Sequence, residues 1–165
     1  PMMKRHSKEQ IAKNPSLKYR DMEEARKACE QLVSQPFTLL NYLEGTRFTP
    51  EKHEQQKSPY KHLLKPKAGG LALALNILGD KIDALVDMTI VYPDGVPGYG
   101  EFWLGEVPRI AVNLRKIDIP DWVLGGNYED DADYRARFQQ WVDQIWTEKD
   151  QLIEQMQQSL ISASA

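Results

Sequence analysis

The stretch Pro36-Phe37-Thr38-Leu39-Leu40-Asn41-Tyr42-Leu43 followed by Glu44-Gly45-Thr46-Arg47 decides how this chain is read. A short apolar run opened by proline reads as a β-strand, and the four residues behind it form a polar cluster. A strand ending in a carboxylate, a glycine, a hydroxyl and a guanidinium delivers that cluster to the carboxyl edge of a sheet, where open α/β sheets bind ligands. Gly45 permits a positive φ or a close backbone approach. Arg47 supplies a planar fork of donors that matches phosphate.

Outward from this point, the pattern alternates strand and helix. Asp21 caps an expected helix to about Ser34, with Met22, Ala25, Ala28, Cys29 and Leu32 on one face. Residues 48–66 read as a long polar loop. A helix is expected from Lys67 to Leu78, closed by Gly79 and carrying Gly69-Gly70 for close packing. Ala84–Tyr92 reads as a strand with its centre in the core, and Pro93-Asp94-Gly95 as a turn. Gly100–Glu106 and Val107–Asp118 read as two further strands; in the second, Ile110, Val112 and Leu114 alternate with Arg109, Asn113 and Arg115. A long helix spans Asp130–Ser159, with Tyr134, Phe138, Trp141, Val142, Ile145, Leu152 and Met156 as its core stripe. The tail, 161–165, is expected to fray. The fold class that follows is α/β, a mixed β-sheet covered by helices, as one domain over residues 1–160.

Composition narrows the function. The 165 residues carry 41% hydrophobic and 27% charged residues, ordinary for a soluble globular domain. Net charge is −3, and no nucleic-acid module is recognisable, which argues against nucleic-acid binding. Lysine and arginine are frequent from Met3 to Lys67 and acids prevail from Asp80 onward, so an anionic ligand is expected at the first half. A single cysteine, Cys29, excludes an internal disulfide. No run is long enough for a membrane-spanning helix. His53 and His62 stand nine apart in the polar loop, too sparse for a metal set, and read as solvated. Lys52, Lys57, Lys61, Lys65 and Lys67 read as a solvated face, or as a basic rim toward anionic lipid or a phosphate-bearing ligand.

Two guanidiniums, Arg47 and Arg5, can localise a dianionic head group. Glu44 can orient Arg47 or bond a hydroxyl; a base role is disfavoured, since a neighbouring arginine lowers a carboxyl's pKa. Gly45 serves backbone geometry. Thr46 either donates to phosphate or caps a turn.

Together these residues resemble the glycerolipid acyltransferases, the 1-acylglycerol-3-phosphate (lysophospholipid) acyltransferase family. Glu44-Gly45-Thr46-Arg47 behind a hydrophobic strand looks like that family's third sequence block. Met2-Met3-Lys4-Arg5 looks like the end of its second, and Leu85-Val86-Asp87-Met88-Thr89-Ile90-Val91-Tyr92-Pro93 is similar to its fourth. Lys65-Pro66-Lys67-Ala68-Gly69-Gly70 fits the longer branch of these enzymes. The resemblance implies fatty acyl transfer from acyl-CoA or acyl carrier protein to a lysophospholipid, with Arg5, Glu44, Gly45, Thr46 and Arg47 binding glycerol phosphate. It implies no metal and no cofactor beyond the thioester substrate, and work at the cytoplasmic side of a membrane reached through upstream hydrophobic segments.

The family's first block, histidine-x4-aspartate, supplies the general base and the group that orients it. Here the three histidines, His6, His53 and His62, are followed five residues later by Ile11, Ser58 and Lys67. The dyad is absent, so no catalytic residue is assigned. With Pro1-Met2-Met3-Lys4-Arg5 reading as the end of a strand, the chain is expected to be the carboxyl-terminal part of an acyltransferase, inactive alone. An apolar face left uncovered would promote self-association. Two alternatives stand: a non-catalytic phosphate- or lipid-binding α/β module, or an unrelated α/β domain in which Arg47 sits in a buried ion pair.

Overall fold

A computed structural model describes Asn14, Glu23, Glu24, Arg26, Lys27 and residues 36–162. Glu23, Glu24, Arg26 and Lys27 are helical, as expected for the segment after Asp21. The rest of that helix, with Cys29, lies outside the described residues, as does Arg5.

The expected strand over Pro36–Leu43 does not form. This segment is irregular, with Leu40 and Tyr42 largely exposed, and ends in a turn where Gly45 N donates to Tyr42 O at 2.9 Å. A strand needs a neighbour for its backbone groups, and among the described residues none pairs with it.

The expected polar loop contains a helix, α1, Pro50–Gln56. Thr49 Oγ1 accepts from Lys52 N at 3.3 Å, Pro50 supplies a preset φ in the first turn, and Lys57 ends the helix in left-handed geometry with φ 47°. Sequence periodicity missed α1 because no side chain of this helix is buried. Helix α2, Gly69–Leu78, begins two residues later than expected, with Gly69-Gly70 as its first turn. It buries Leu71, Ala72, Ala74, Leu75 and Leu78.

The sheet has two strands among the described residues, not a larger mixed set. Strand β1, Leu85–Val91, runs antiparallel to β2, Ala111–Ile117, with Met88 opposite Leu114 and Ile90 opposite Val112. Between them, the expected strand Gly100–Glu106 is replaced by a short helix, α3, Tyr99–Trp103. Glu101 Oε2 accepts from Gly98 N at 2.6 Å, closing the first turn locally where a strand would need a distant partner. Helix α4, Ala132–Ser162, is three residues longer at its carboxyl end than expected. No helix among the described residues is long and apolar enough to cross a membrane.

α4 runs through both apolar clusters. Phe138 and Val142 are fully buried against Ala68, Leu71, Ala72 and Leu75 of the α2 region and against Val123. Ile145, Trp146 and Ile153 pack on Tyr60, Leu63 and Val91. Of the predicted stripe, Phe138, Val142 and Ile145 are buried, and Tyr134, Trp141 and Met156 pack partly buried against the same clusters; Trp146 and Ile153 extend it.

The sheet faces are reversed relative to simple patterning. Val86, Met88, Ile90, Val112 and Leu114 point outward, Leu114 with 61% of its surface exposed, and among the described residues nothing covers them. The face toward α4 carries Asp87, Thr89, Val91 and Arg115. Lys149 of α4, only 9% exposed, donates to Asp87 Oδ1 at 2.6 Å, Met88 O at 2.7 Å and Thr89 Oγ1 at 3.1 Å. Arg115 bonds Asp87 Oδ2 at 3.1 Å, Ile145 O at 2.8 Å and Glu148 Oε2 at 2.7 Å. The three donors of Lys149 are all used, so its burial costs little unmet polarity. The core role expected for Met88–Val91 therefore holds for Thr89 and Val91 and fails for Met88 and Ile90.

A second polar tie fixes residues 57–67 to α4. Asp150 accepts from the backbone N–H groups of Lys61 and His62 at 2.8 and 2.7 Å. Glu154 Oε2 accepts from Lys61 Nζ at 2.6 Å and pairs with His62 Nε2 at 2.7 Å. These contacts border a shallow cleft of about 320 Å³. His62 is thus a pinned residue, not a solvated one. His53 too is engaged, its Nε2 lying 2.6 Å from Tyr60 O.

Lys149→Met leaves Asp87 half-paired under α4, and urea denaturation is expected to show a loss of about 3 kcal/mol. Asp94→Asn, at the exposed pair with Arg109, is expected to leave the midpoint unmoved. Bonds from Lys61, then His62 and Gln158, hold the Glu154 carboxyl down at about 2 against an ordinary 4.5. Its folded pKa is depressed, so its stabilisation is complete above about pH 4.5 and is lost as pH falls toward 2. Thermal midpoints of Glu154→Gln should therefore fall less steeply than wild type across that window.

Candidate functional site

The turn Glu44-Gly45-Thr46-Arg47 lies between α1 and the amino end of α2. Its position is set by the backbone. Lys67 N donates to Leu43 O at 2.7 Å, drawing the residue before the turn against the segment that enters α2. Ala68 at the start of α2 offers no side-chain cap.

Glu44 points inward. Its Oε1 accepts from Leu64 N at 3.2 Å, and Leu64 O accepts from Trp146 Nε1 at 3.0 Å. Leu64 is fully buried, so both of its backbone groups are satisfied by side chains distant in sequence. Burial raises the Glu44 carboxyl above its usual range, and the Leu64 N–H and the charge of Lys149 only partly offset this. The lowering expected from an adjacent arginine is not found, because Glu44 faces the interior and no ion pair with Arg47 forms.

Gly45 has φ +66°, the left-handed region, so the expectation that it serves backbone geometry matches the turn. A side chain there would meet Lys67: a Cβ would stand 3.3 Å from Nζ and 3.4 Å from Cδ. Thr46 Oγ1 accepts from Lys52 Nζ at 2.8 Å, and the same ammonium donates to Arg47 O at 3.1 Å. Arg47 is exposed, and among the described residues no acid pairs with its guanidinium. A buried Arg47 ion pair, the mark of an unrelated domain, is therefore excluded.

Of the residues singled out from sequence, Glu44, Gly45, Thr46 and Arg47 share this one turn; Arg5 lies outside the described residues. Lys52 and Lys67, read from the sequence as members of a solvated face or of a basic rim, lie beside it. Their signal was spatial: α1 folds Lys52 back onto the turn, and the Lys67–Leu43 backbone bond brings Lys67 beside Gly45. No grouping of His, Cys, Asp and Glu suited to a metal ion occurs among the described residues.

The turn therefore gathers an exposed arginine, two lysines and a hydroxyl, while its own acid, Glu44, faces inward. Sequence comparison places the chain with the acyltransferases. Its curated relatives include two named as acyltransferases of lysophospholipids. It is 31% identical over 138 residues to 2-acyl-1-lysophosphatidylinositol acyltransferase of Saccharomyces cerevisiae, covering 72% of this chain and 32% of that protein. It is 26% identical over 142 residues to lysocardiolipin acyltransferase 1 of Danio rerio, covering 78% of this chain and 34% of that protein. The chain thus spans about a third of the length of these relatives. No family model matches the chain, and no solved structure matches it.

Glu44→Ala strands the buried Leu64 N–H and is expected to cost about 2 kcal/mol in urea denaturation. Glu44→Gln keeps a carbonyl acceptor and should recover most of that loss.

Proposed function

We propose that this chain forms part of an acyltransferase that moves a fatty acyl group from acyl-CoA or acyl carrier protein to a lysophospholipid such as 1-acylglycerol-3-phosphate. Residues 1–160 would belong to a single acyltransferase domain. Its contribution is the glycerol-phosphate site: Arg47 as the principal phosphate ligand, Thr46 as a hydroxyl donor, Gly45 as the turn that lets the phosphate approach, and Glu44 as the strut beneath. Arg5 is proposed to join them. The observation that carries this reading is the exposed Arg47 guanidinium beside a turn whose carboxylate is committed to the interior.

In the proposed reaction the acceptor hydroxyl oxygen attacks the thioester carbonyl. A C–O ester bond forms, the C–S bond breaks, and the hydroxyl proton ends on the departing thiol. A histidine paired with an aspartate is the natural carrier of that proton. The histidine-x4-aspartate pattern is not found in these 165 residues, so the base is placed outside them. The thioester is a substrate, and the step calls for no metal. The lipid acceptor implies work at a membrane surface, proposed to be its cytoplasmic side.

The missing pattern also favours a second reading, a phosphate- or lipid-binding module without catalysis. Calorimetric titration with glycerol 3-phosphate tests what both readings share. Saturable binding is expected, weakened about tenfold or more in Arg47→Ala, in keeping with one charge-assisted contact. Unchanged affinity in that variant would refute the assignment of Arg47. Acyl transfer to lysophosphatidate by the 165-residue chain alone would refute the placement of the base.

A further inference from the structure

We infer that Lys67 is a phosphate ligand of the acceptor site, and that Lys52 is the residue that shapes the turn so that Thr46 and Arg47 act with it. This rests on the reading of Glu44–Arg47 as that site and adds to it a residue from outside the tetrapeptide.

Three observations carry it. First, Lys67 is anchored at its backbone, N to Leu43 O at 2.7 Å, so its side chain leaves from a fixed point beside the turn. Second, it lies along Gly45: both Cδ and Nζ come within 3.4 Å of where a Cβ would stand. The exposed side chain therefore runs alongside the turn, and a larger residue at position 45 would push it aside. Third, among the described residues no carboxylate pairs with it. The acid next in sequence to Gly45, Glu44, is turned inward onto Leu64 N.

Lys52 completes the arrangement. Its ammonium has three donors; two are spent on Thr46 Oγ1 and Arg47 O. Because Thr46 Oγ1 accepts from Lys52, its own O–H proton is left to donate outward. The turn thus presents a hydroxyl donor with the Arg47, Lys52 and Lys67 charges around it and no exposed acid within it. A phosphoryl group is the anion that takes several such donors at once. The two sources of that group, a glycerol-phosphate head or phosphate itself, are separated by titrating each.

The test is titration of the whole 165-residue chain with glycerol 3-phosphate and, separately, inorganic phosphate, at two salt concentrations. Lys67→Met keeps the aliphatic cover on Gly45 and removes the charge. It is expected to weaken glycerol 3-phosphate about tenfold and to flatten the salt dependence, with an unchanged thermal midpoint. Lys67→Arg should restore most of the affinity. Lys116→Ala, on the outer face of β2, should change nothing. Tighter binding of glycerol 3-phosphate than of inorganic phosphate identifies the head group as the ligand; equal affinities would overturn its assignment to the acceptor. Lys67→Met binding like wild type while Arg47→Ala fails would overturn the role of Lys67 and leave the site standing. Absence of saturable binding in the wild type would overturn the site itself.

Discussion

The geometry of this molecule turns on how Leu64 is held. Its N–H meets the Glu44 carboxylate and its C=O meets the Trp146 indole, so one buried residue joins the Glu44–Arg47 turn to the long helix α4. Without these two side chains, a fully buried residue in an irregular segment would carry unmet polar groups, which cost more than a typical hydrogen bond returns. The constraint explains why an acid sits at the head of an otherwise cationic turn. Glu44 is a strut: its charge is spent inside, and the outer surface of the turn is left to Arg47, Thr46, Lys52 and Lys67.

The same economy shapes the sheet. β1 and β2 face α4 with Asp87, Thr89 and Arg115, which Lys149 and Glu148 complete from the helix. The polar side of the sheet is the packed side, and Val86, Met88, Ile90, Val112 and Leu114 face outward. Alternation in sequence identifies two faces but does not say which is inside. Here the ion pairs decide it, because paired charges beneath a helix are tolerated when every donor is used. The outward apolar face is uncovered among the described residues.

The elements with a clear apolar period were legible: α2, β1, β2 and most of α4 follow from it. The failures share a cause. Pro36–Leu43 has the composition of a strand, but no described neighbour pairs with it. Gly100–Glu106 has the aromatics of a strand, but Glu101 closes a helical turn on Gly98. α1 buries nothing, so its only sequence signal was Thr49-Pro50, a cap and a first-turn proline. At the site, Glu44 through Arg47 could be named from their order in the chain. Lys52 and Lys67 could not be singled out from the five lysines of that segment, because their places come from a helix and a backbone bond that local pattern does not encode. The direction of the Glu44 pKa was misread for the same reason: adjacency in sequence to Arg47 suggested a pair, and burial decided otherwise.

The arrangement also bears on why glycine stands between the acid and the threonine. A turn that sends residue 44 inward and residues 46 and 47 outward must reverse its path within one residue, and φ +66° at Gly45 does this without the strain another residue would incur. The missing side chain has a second consequence, since Lys67 occupies the space it would have filled. One glycine thus separates the structural carboxylate from the cationic surface and makes room for a further charge on that surface. An alanine would oppose both effects, one through backbone strain and the other through displacement of an ammonium.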